Sequence, residues 1–342
     1  MTEKTKVAVA AAGLAAGLVA REFYRRSQEE DISGSAVLIT GGSRGLGLAL
    51  ARRFAREGCR VAICARDEDE LARAADDLAA RRFQVMTVRC DVTKRSEVEQ
   101  MICDVESRYG RVDILVNNAG QIQVGPIETM TIDDFENAMQ VMFWGVVYPT
   151  MTLLRSMLFR NSGRIVNITS IGAKIAVPHL VPYTCAKYAA AGFSEGLRAE
   201  LAQTGITVTT IAPGLMRTGS YNAAEFKGDP EAESTWFGVS SSMPGMSMDA
   251  GRAARQIVSA VKRGQAEKIL TTPANIMAKL HGVAPGLSQD LLGAIAGLVL
   301  PKSGPDRHSK PGWSLPNLKS PKMRALLVLG RIAARRLNQR MA

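Results

Sequence analysis

The sequence lacks the patterns of several common protein classes. Its five cysteines are scattered at residues 59, 64, 90, 103 and 185, with no CxxC pair and no histidine cluster. That distribution argues against a zinc motif and against a disulfide scaffold, so we expect no metal. An odd number of free thiols is typical of a reducing compartment. No internal repeat is visible, so a repeat architecture is not expected.

The N-terminal apolar run, residues 7–20, is too short for an ordinary membrane-spanning helix. It has fourteen residues, whereas a span needs about 20. Basic residues flank it on both sides: Lys4, Lys6, Arg21, Arg25 and Arg26. Gly13 and Gly17 would let two such helices approach closely. A shallow membrane anchor and an alanine-rich helix that packs on the protein or frays stay open, and a cleaved signal peptide is the least favoured.

Acidic residues are nearly absent beyond residue 300. Residues 301–342 hold ten lysines and arginines but a single acid, Asp306, and they carry most of the chain's net charge of +11. Segment 322–341 mixes leucines with arginines and predicts a basic amphipathic helix. Contact with a membrane surface, docking on the protein and simple solvation are the open interpretations. Nucleic-acid binding is not expected.

Between these ends, short apolar runs alternate with helical periodicity. Strands are predicted at 36–40, 60–65, 83–90, 112–118, 163–170, 205–213 and 266–272. Such alternation predicts an α/β fold: a Rossmann-type doubly wound parallel sheet of about seven strands with helices on both faces.

We divide the chain into an N-terminal segment (1–33), a Rossmann-fold domain (34–275) and a C-terminal extension (276–342), with helical extensions at both ends. Residues 219–248 are rich in Gly, Ser, Pro and Met and are expected to form an irregular substrate lid. The methionines and aromatic residues of the lid favour a hydrophobic carbonyl or alcohol as substrate; the alternative is that these side chains only pack the lid.

The stretch TGGSRGLG, from Thr40 to Gly47, follows the first predicted strand and opens a helix. Gly41, Gly45 and Gly47 give the spacing TGxxxGxG. Glycines in this context permit a tight turn and the close approach of a pyrophosphate to the helix N-terminus.

Further motifs follow in order: NNAG at 117–120, Ser170, YTCAK at 183–187 and PGLMRT at 213–218. Together with the glycine loop they resemble the classical short-chain dehydrogenase/reductase family over about residues 34–272. The resemblance implies hydride transfer between a nicotinamide and a carbonyl or alcohol carbon. It also implies a homodimer or homotetramer, and a cytoplasmic enzyme that associates with the cytoplasmic face of a membrane if its termini bind lipid.

Tyr183 and Lys187 are four residues apart and share a face of a helix. A tyrosine hydroxyl titrates near 10, and a neighbouring cation favours its phenolate. The resemblance implies that Tyr183 is the general acid/base, that Lys187 lowers its pKa and holds the nicotinamide ribose, and that Ser170 orients the substrate oxygen.

The charges after the second strand bear on the cofactor. An acid there would favour NAD(H), but Arg66 stands at that place and Arg44 lies in the glycine loop. Two guanidinium groups suit a 2′-phosphate, so NADP(H) is expected rather than NAD(H), although Asp67 follows directly. The resemblance implies cofactor contacts from Gly41, Ser43, Arg44, Gly45, Leu46, Gly47, Arg66, Asp91, Val92, Asn118, Ala119, Gly120, Tyr183, Lys187, Pro213, Gly214, Met216 and Thr218. By itself, Asp91 is as readily a turn cap.

One position departs from the family pattern. The family has an asparagine three residues ahead of a frequent glycine; Gly145 is present here, but Met142 takes the place of the asparagine. That asparagine supports a proton relay to the lysine, and a thioether cannot donate a hydrogen bond. The alternative to an enzyme is therefore a catalytically impaired cofactor-binding sensor or scaffold. We favour a working enzyme because Ser170, Tyr183 and Lys187 all remain.

Overall fold

The computed structural model describes residues 29–340, together with positions 5, 13 and 17. The predicted N-terminal extension therefore lies almost wholly outside the described residues. The strands, in chain order, are β1 (Ala36–Thr40), β2 (Arg60–Ala65), β3 (Val85–Arg89), β4 (Ile114–Asn117), β5 (Gln123–Val124), β6 (Gly163–Ile168), β7 (Ile206–Pro213), β8 (Met216–Arg217), β9 (Glu225–Gly228), β10 (Met248–Asp249), β11 (Glu267–Leu270) and β12 (Asp306–Pro311).

The α-helices are α1 (Gly45–Arg56), α2 (Glu68–Ala80), α3 (Arg95–Tyr109), α4 (Ile132–Met139), α5 (Gly145–Phe159), α6 (Val181–Glu200), α7 (Pro230–Ser242), α8 (Ala250–Lys262), α9 (Thr272–Val283), α10 (Pro285–Val299), α11 (Pro321–Leu326) and α12 (Val328–Arg336). Short 3₁₀ turns lie at Ile127–Thr129, Ile171–Ala173, Ser220–Asn222, Gly312–Ser314 and Asn317–Lys319. A π-helical turn, Gln140–Trp144, joins α4 to α5.

The central sheet has seven parallel strands in the order β11-β7-β6-β4-β1-β2-β3. The predicted Rossmann-type sheet is confirmed. Strand β1 is buried on both faces, which explains its continuous apolar sequence AVLIT. One core cluster packs α1, α2 and α8 against the sheet, and a second packs α3 and α5 against its other face.

The strand order reverses at β1, and this reversal positions the site. From β1 the chain runs outward through β2 and β3, then returns to place β4 on the other side of β1. Ligands of open α/β sheets bind outside the carboxyl ends of the strands at such a point. The glycine loop follows β1 and the NNAG segment continues from β4, so both lie at this crevice.

The expectation of an irregular lid is wrong in part. Residues 219–248 contain β9, which pairs with β5 and β12, and the helix α7. The signals for α7 were present in the sequence, because Asp229 caps the helix through the backbone N–H of Ala232 and Pro230 opens it.

The single helix predicted over 322–341 is also wrong. The segment breaks at Leu327 into α11 and α12, and helix ends at Arg336. Leu327 is fully buried in a cluster with Tyr221 and Phe237, so this side of the segment docks on the lid. Docking on the protein, one of the open interpretations, therefore describes segment 322–341 better than a free amphipathic helix does. Helix α9 runs through the domain boundary predicted at residue 275.

Within the described part of the chain, one helical stretch, Ile132–Phe159, is long and apolar enough to cross a membrane. It consists of α4, the π-helical turn and α5. Met142, Leu153 and Met157 in this stretch are buried in the protein core. A core helix passes the same test of length and composition, so the stretch is weak evidence for membrane insertion.

A chain of buried polar side chains ties the sheet to the helices on one face. The Asn117 amide donates to Thr150 Oγ1 at 2.9 Å and to Asn167 Oδ1 at 2.8 Å. The Asn167 amide donates to Ser194 Oγ at 2.9 Å, and Ser194 lies 2.7 Å from Thr210 Oγ1. Because Ser194 belongs to α6, this network helps fix the helix that carries Tyr183.

We predict that Asn167→Ala lowers the free energy of unfolding by about 2–4 kcal/mol, since it leaves buried hydrogen-bonding groups unpaired. Urea unfolding of Asn117→Ala, Asn167→Ala and the double variant measures the coupling, expected at about 0.5–3 kcal/mol. Strictly additive effects of the two substitutions would show that the side chains do not act as one network.

Candidate active site

The glycine loop after β1 has a backbone that side chains cannot follow. Gly41 and Gly45 have φ of +63° and +58°, in the left-handed region. A Cβ on Gly47 would lie 2.1 Å from the carbonyl oxygen of Gly41. The loop is therefore compact, and only glycine fits at these positions.

Two residues join this loop to the end of β4. The Thr40 hydroxyl accepts from the backbone N–H groups of Asn118 and Ala119, at 3.0 and 3.1 Å. The Asn118 amide donates to the carbonyls of Thr40 and Gly41, both at 3.0 Å. The predicted ligand Asn118 thus uses its side chain to hold the loop. Thr40 was missed as a site residue, although it is the threonine of the TGxxxGxG pattern.

The acids near the predicted adenosine end act as caps. Asp91 accepts from the backbone N–H and the hydroxyl of Thr93, at 3.0 and 2.8 Å, so the turn-cap interpretation describes its carboxylate. Asp67 caps α2 by accepting from the backbone N–H of Glu70 at 2.8 Å. Both carboxylates therefore already accept hydrogen bonds from neighbouring residues of the protein.

Gly145 leaves room for Val92 beside this end of the site. A Cβ on Gly145 would lie 2.9 Å from Val92 Cγ2. In this chain, close packing against Val92 therefore explains why position 145 is a glycine.

The charge at the predicted 2′-phosphate site is partly neutralised. Arg44 forms an ion pair with Glu70 at 2.9 Å, and Ser43 Oγ donates to the same carboxylate at 3.0 Å. Arg66 is exposed and forms no ion pair within residues 29–340. Glu70 and Arg73 also line the site, and sequence reasoning missed both. Their spacing on α2, one turn apart and facing the glycine loop, was the available signal.

Ser170, Tyr183 and Lys187 converge at the carboxyl end of β6. Ser170 caps a 3₁₀ turn by accepting from the Gly172 N–H at 3.0 Å. A Cβ on Gly172 would lie 3.4 Å from the Tyr183 ring and 3.5 Å from Ser170 Oγ, which places both side chains around this glycine. The Lys187 ammonium is buried, donates to the carbonyl of Ile168 at 2.8 Å, and lies 5.8 Å from the centre of the Tyr183 ring.

Burial sets the protonation of these groups. Burial raises the pKa of the Tyr183 hydroxyl, and its hydrogen bond with Ser170 offsets only part of that rise. Burial lowers the pKa of the Lys187 ammonium to about 8. Tyr183 is therefore protonated at neutral pH and can donate a proton.

Met142 lies beside this group in the π-helical turn. It is buried with Ala138 and Ala186, and Tyr183 packs against the same cluster. A Cβ on Gly120 would lie 3.8 Å from both Met142 Cγ and Lys187 Nζ, so both side chains border Gly120. Single π-helical turns are frequent at functional sites.

The lid is linked to the loop that precedes Tyr183. His179 Nδ1 lies 2.8 Å from Glu233 Oε1, and the Trp236 indole donates to the other carboxylate oxygen at 2.6 Å. Glu233 is fully buried on α7. His179 is half-buried and anchors the lid.

A single cavity of about 1320 Å³ is lined by every predicted catalytic and cofactor residue. Pockets for one small ligand are usually about 300–1,000 Å³. The cavity therefore has room for a dinucleotide and a second molecule. The structure brings the predicted residues together, and their individual roles stay predictions.

Comparison with known proteins gives the same assignment. The family model for short chain dehydrogenases matches residues 35–227, more than half of the chain. The chain belongs to the short-chain dehydrogenase family. It is 31% identical over 264 residues to dehydrogenase/reductase SDR family member 7B of Bos taurus, covering 75% of this chain and 79% of that protein.

Two solved structures illustrate the similarity. An actinorhodin polyketide ketoreductase variant with NADPH has a TM-score of 0.62 and 30% identity, covering 70% of this chain and 97% of the other. A short-chain dehydrogenase/reductase from Burkholderia phymatum in complex with NAD has a TM-score of 0.70 and 23% identity, covering 75% and 96%, and shows the fold alone. The family consists of NAD(P)-dependent oxidoreductases.

The residues present fit the nicotinamide dinucleotide that the short-chain dehydrogenase family implies. The glycine loop stands at the N-terminus of α1, where a backbone can bind a pyrophosphate, and the Gly45 N–H of this loop donates to the Leu337 carbonyl. The buried Gln339 Oε1, which has no hydrogen-bond partner among the described residues, also lines the cavity. Met216 and Thr218 line the same cavity, and a Cβ on Gly45 would lie 4.0 Å from Thr218 Cβ. These residues would hold the cofactor, with Lys187 beside its nicotinamide end.

The C-terminal tail, residues 337–340, is a further part of this short-chain dehydrogenase site. The Leu337 carbonyl accepts from the backbone N–H of Gly45 at 2.9 Å. The Asn338 amide donates to the carbonyls of Ser43 and Glu70, both at 2.9 Å. Arg340 stacks on Trp313 and lines the cavity. No local sequence pattern indicated that this tail returns to the glycine loop.

We predict that replacing Lys187 changes the pH dependence of stability. Its folded pKa of about 8 lies below its usual 10.5, so between these pH values the unfolded chain binds more protons and stability rises with pH. Below pH 8 the buried ammonium costs about 3 kcal/mol, at about 1.36 kcal/mol per pKa unit. Lys187→Met is therefore favoured relative to the parent at pH 7 and loses that advantage by pH 10.5, measured by urea unfolding.

Lys174→Met is the matched control, with the opposite sign. Burial lowers the pKa of Lys174, but its ion pairs with Glu267 and Glu195 outweigh burial and leave that pKa raised. Its contribution is fully present below its unfolded pKa and is lost as the pH rises through the folded one. If Lys187→Met followed the same trend as Lys174→Met, the buried-ammonium explanation would be wrong.

Proposed function

We propose that this short-chain dehydrogenase is an NADP(H)-dependent oxidoreductase acting on a hydrophobic carbonyl or alcohol. The observation that carries the proposal is the convergence of Ser170, Tyr183 and Lys187 on the cavity that the glycine loop also lines. The bound nicotinamide would supply or take up the hydride.

The side chains divide the proton chemistry among them. Ser170 would donate a hydrogen bond to the substrate oxygen and orient it toward Tyr183. In reduction of a carbonyl, Tyr183 would give its proton to that oxygen as negative charge develops there. The nearby Lys187 ammonium would stabilise the resulting phenolate. In oxidation of an alcohol, the same groups would act in reverse.

A preference for NADP(H) is supported by two guanidinium groups and opposed by one carboxylate. Arg66 is exposed and unpaired within the described chain, but Arg44 is engaged by Glu70. A 2′-phosphate would have to take the place of Glu70 as the partner of Arg44. The ketoreductase neighbour with NADPH supports the choice, and the Burkholderia neighbour with NAD shows that the fold accommodates both dinucleotides.

A hydrophobic substrate is supported by the wall beyond Tyr183. Apolar residues from several elements line that part of the cavity: Ile122, Val141, Val177, Leu180, Trp236, Phe237, Met246, Leu292, Ile295 and Val299. Apolar walls with a few polar groups are typical of pockets for apolar small molecules.

We predict turnover of hydrophobic ketones with NADPH that depends on Tyr183. Tyr183→Phe removes the proton donor and should lower kcat about 10²–10⁴-fold. Met142→Asn should change kcat far less than Tyr183→Phe does, because it adds a supporting polar group and removes no reacting one. The measurement is NADPH oxidation across a panel of ketones and aldehydes.

The same experiment tests the sensor or scaffold alternative, which the position of Met142 beside Lys187 favours. A parent chain that binds NADPH tightly but turns over no faster than Tyr183→Phe would support a catalytically impaired protein. A large gain in Met142→Asn would then identify the thioether as the cause.

We predict that Glu70→Gln increases the preference for NADPH over NADH. The substitution frees Arg44 and Ser43 from a carboxylate, and a hydrogen bond to a charged group contributes about 1.5–3 kcal/mol, or about 10–100-fold in affinity. Arg66→Ala should act in the opposite direction. Dissociation constants for the two dinucleotides give the ratio.

The matched control is Asp76→Asn, which removes one negative charge from the same helix. It should leave the NADPH/NADH ratio unchanged. If Glu70→Gln lowered that ratio, Glu70 would be the residue that accepts the ribose hydroxyls, and the cofactor would be NAD(H).

A further inference from the structure

Helices α9 and α10 form a hairpin whose apolar surface is largely uncovered. Between Thr272 and Leu300 the charged residues are Lys279 and Asp290 alone. Only Ala274 and Ser288 in this hairpin are buried. Its large apolar side chains are instead exposed: Ile276, Leu280, Val283, Leu287, Leu291, Ile295, Leu298 and Val299. A helix that is apolar over most of its surface needs an apolar environment.

The hairpin is nevertheless an ordered part of the protein. His281 Nδ1 lies 2.7 Å from Ser288 Oγ and joins the two helices across their turn. At its base, the Asn275 amide donates to the carbonyl of Ile269 at 3.0 Å, and Ala274 packs beside Gly214 of the cofactor loop. The uncovered surface is therefore held in a fixed relation to the active site.

The exposed apolar stripe continues into the cavity. On α10, Leu287, Leu291 and Leu298 share one helical face, and Ile295 and Val299 stand at its edge. Ile295 and Val299 are both exposed, at 44% and 65%, and both line the cavity. An apolar molecule could pass along this edge without crossing a polar surface.

We propose that the α9–α10 hairpin inserts into the surface of a phospholipid bilayer and that the substrate enters the cavity from the lipid. The tip of the hairpin favours lipid over a second copy of this chain. Val283 and Leu287 at the turn are 86% and 67% exposed, and lipid can surround such a protrusion, whereas a two-fold interface needs a self-complementary patch.

Charge supports the same partner. Lys279 and Lys302 are exposed beside the apolar surface, and the whole chain carries a net charge of +11. Basic residues next to an apolar surface are attracted by anionic lipid. The apolar segment 7–20 with its flanking lysines and arginines would be a second membrane signal, and stable anchoring generally takes two. The lipid contact stands on these observations, and the route of the substrate rests on the proposed function.

The test is flotation of the full chain with vesicles of phosphatidylcholine, with and without phosphatidylserine. Leu287→Glu combined with Leu298→Glu should weaken vesicle binding at least about tenfold, because two charges enter the apolar face. The matched control, Ile132→Glu with Phe159→Glu, replaces two equally exposed apolar residues on other helices and should bind as the parent does.

A second variant keeps the surface apolar. Leu298→Trp places an indole on the stripe, and brominated phosphatidylcholine should quench its fluorescence beyond the background from the native tryptophans. No added quenching, or unchanged flotation of the Leu287/Leu298 double variant, would overturn the proposal. A double variant that lost self-association but kept its vesicle binding would identify a second copy as the partner and overturn it as well.

Turnover separates the lipid contact from the proposed activity. The double variant should lose at least about tenfold in rate with a long-chain ketone dissolved in the vesicles and keep the parent rate with a short water-soluble ketone. If no ketone were reduced by any chain while the double variant lost its vesicle binding, the proposed function would fail and the membrane surface would stand. Equal loss with both ketones would overturn the route through the lipid.

Discussion

The site depends on the hydrogen bonds that join Thr40 and Gly41 to Asn118 and Ala119. These residues follow or end β1 and β4, which are neighbours in the sheet, but they are separated by 78 residues in the chain. Four hydrogen bonds satisfy the backbone groups that are left when the two strands diverge. Because one of these hydrogen bonds is accepted by the carbonyl of Gly41, they also fix the glycine loop. The crevice exists at this point because these two strand ends stay together.

The convergence of Ser170, Tyr183 and Lys187 carries a cost in free energy that the fold has to offset. Among residues 29–340 the buried Lys187 ammonium has one hydrogen-bond partner, the Ile168 carbonyl, and burying a charge is unfavourable unless it is well paired. The same burial places the cation 5.8 Å from the centre of the Tyr183 ring, in a poorly screened environment. Ser194, on the helix that carries both residues, is bonded to the buried network of Asn167, so the helix is held in place against this cost.

Much of the fold and of the site could be predicted because the signals are local. The apolar strand AVLIT, the glycines that only a tight loop requires, and the four-residue spacing of Tyr183 and Lys187 are each visible in a short window. What could not be predicted depends on contacts between distant segments. Leu327 breaks the C-terminal helix because it is buried beneath the lid, and Asn338 reaches the glycine loop across almost the whole chain. Leu327 does not differ in type from its exposed neighbour Leu326.

The same reasoning explains why charge patterns were the weakest guide to the cofactor. Arg44 and Arg66 are cations in the sequence, but their effect on a phosphate depends on what pairs with them in the fold. Glu70, one turn into α2, neutralises Arg44 and also holds Ser43, while Asp67 is turned away to cap the helix. Within residues 29–340, Arg66 forms no ion pair, and Arg73 also lines the cavity. The proposed preference for a 2′-phosphate therefore depends on whether that phosphate can replace Glu70 as the partner of Arg44.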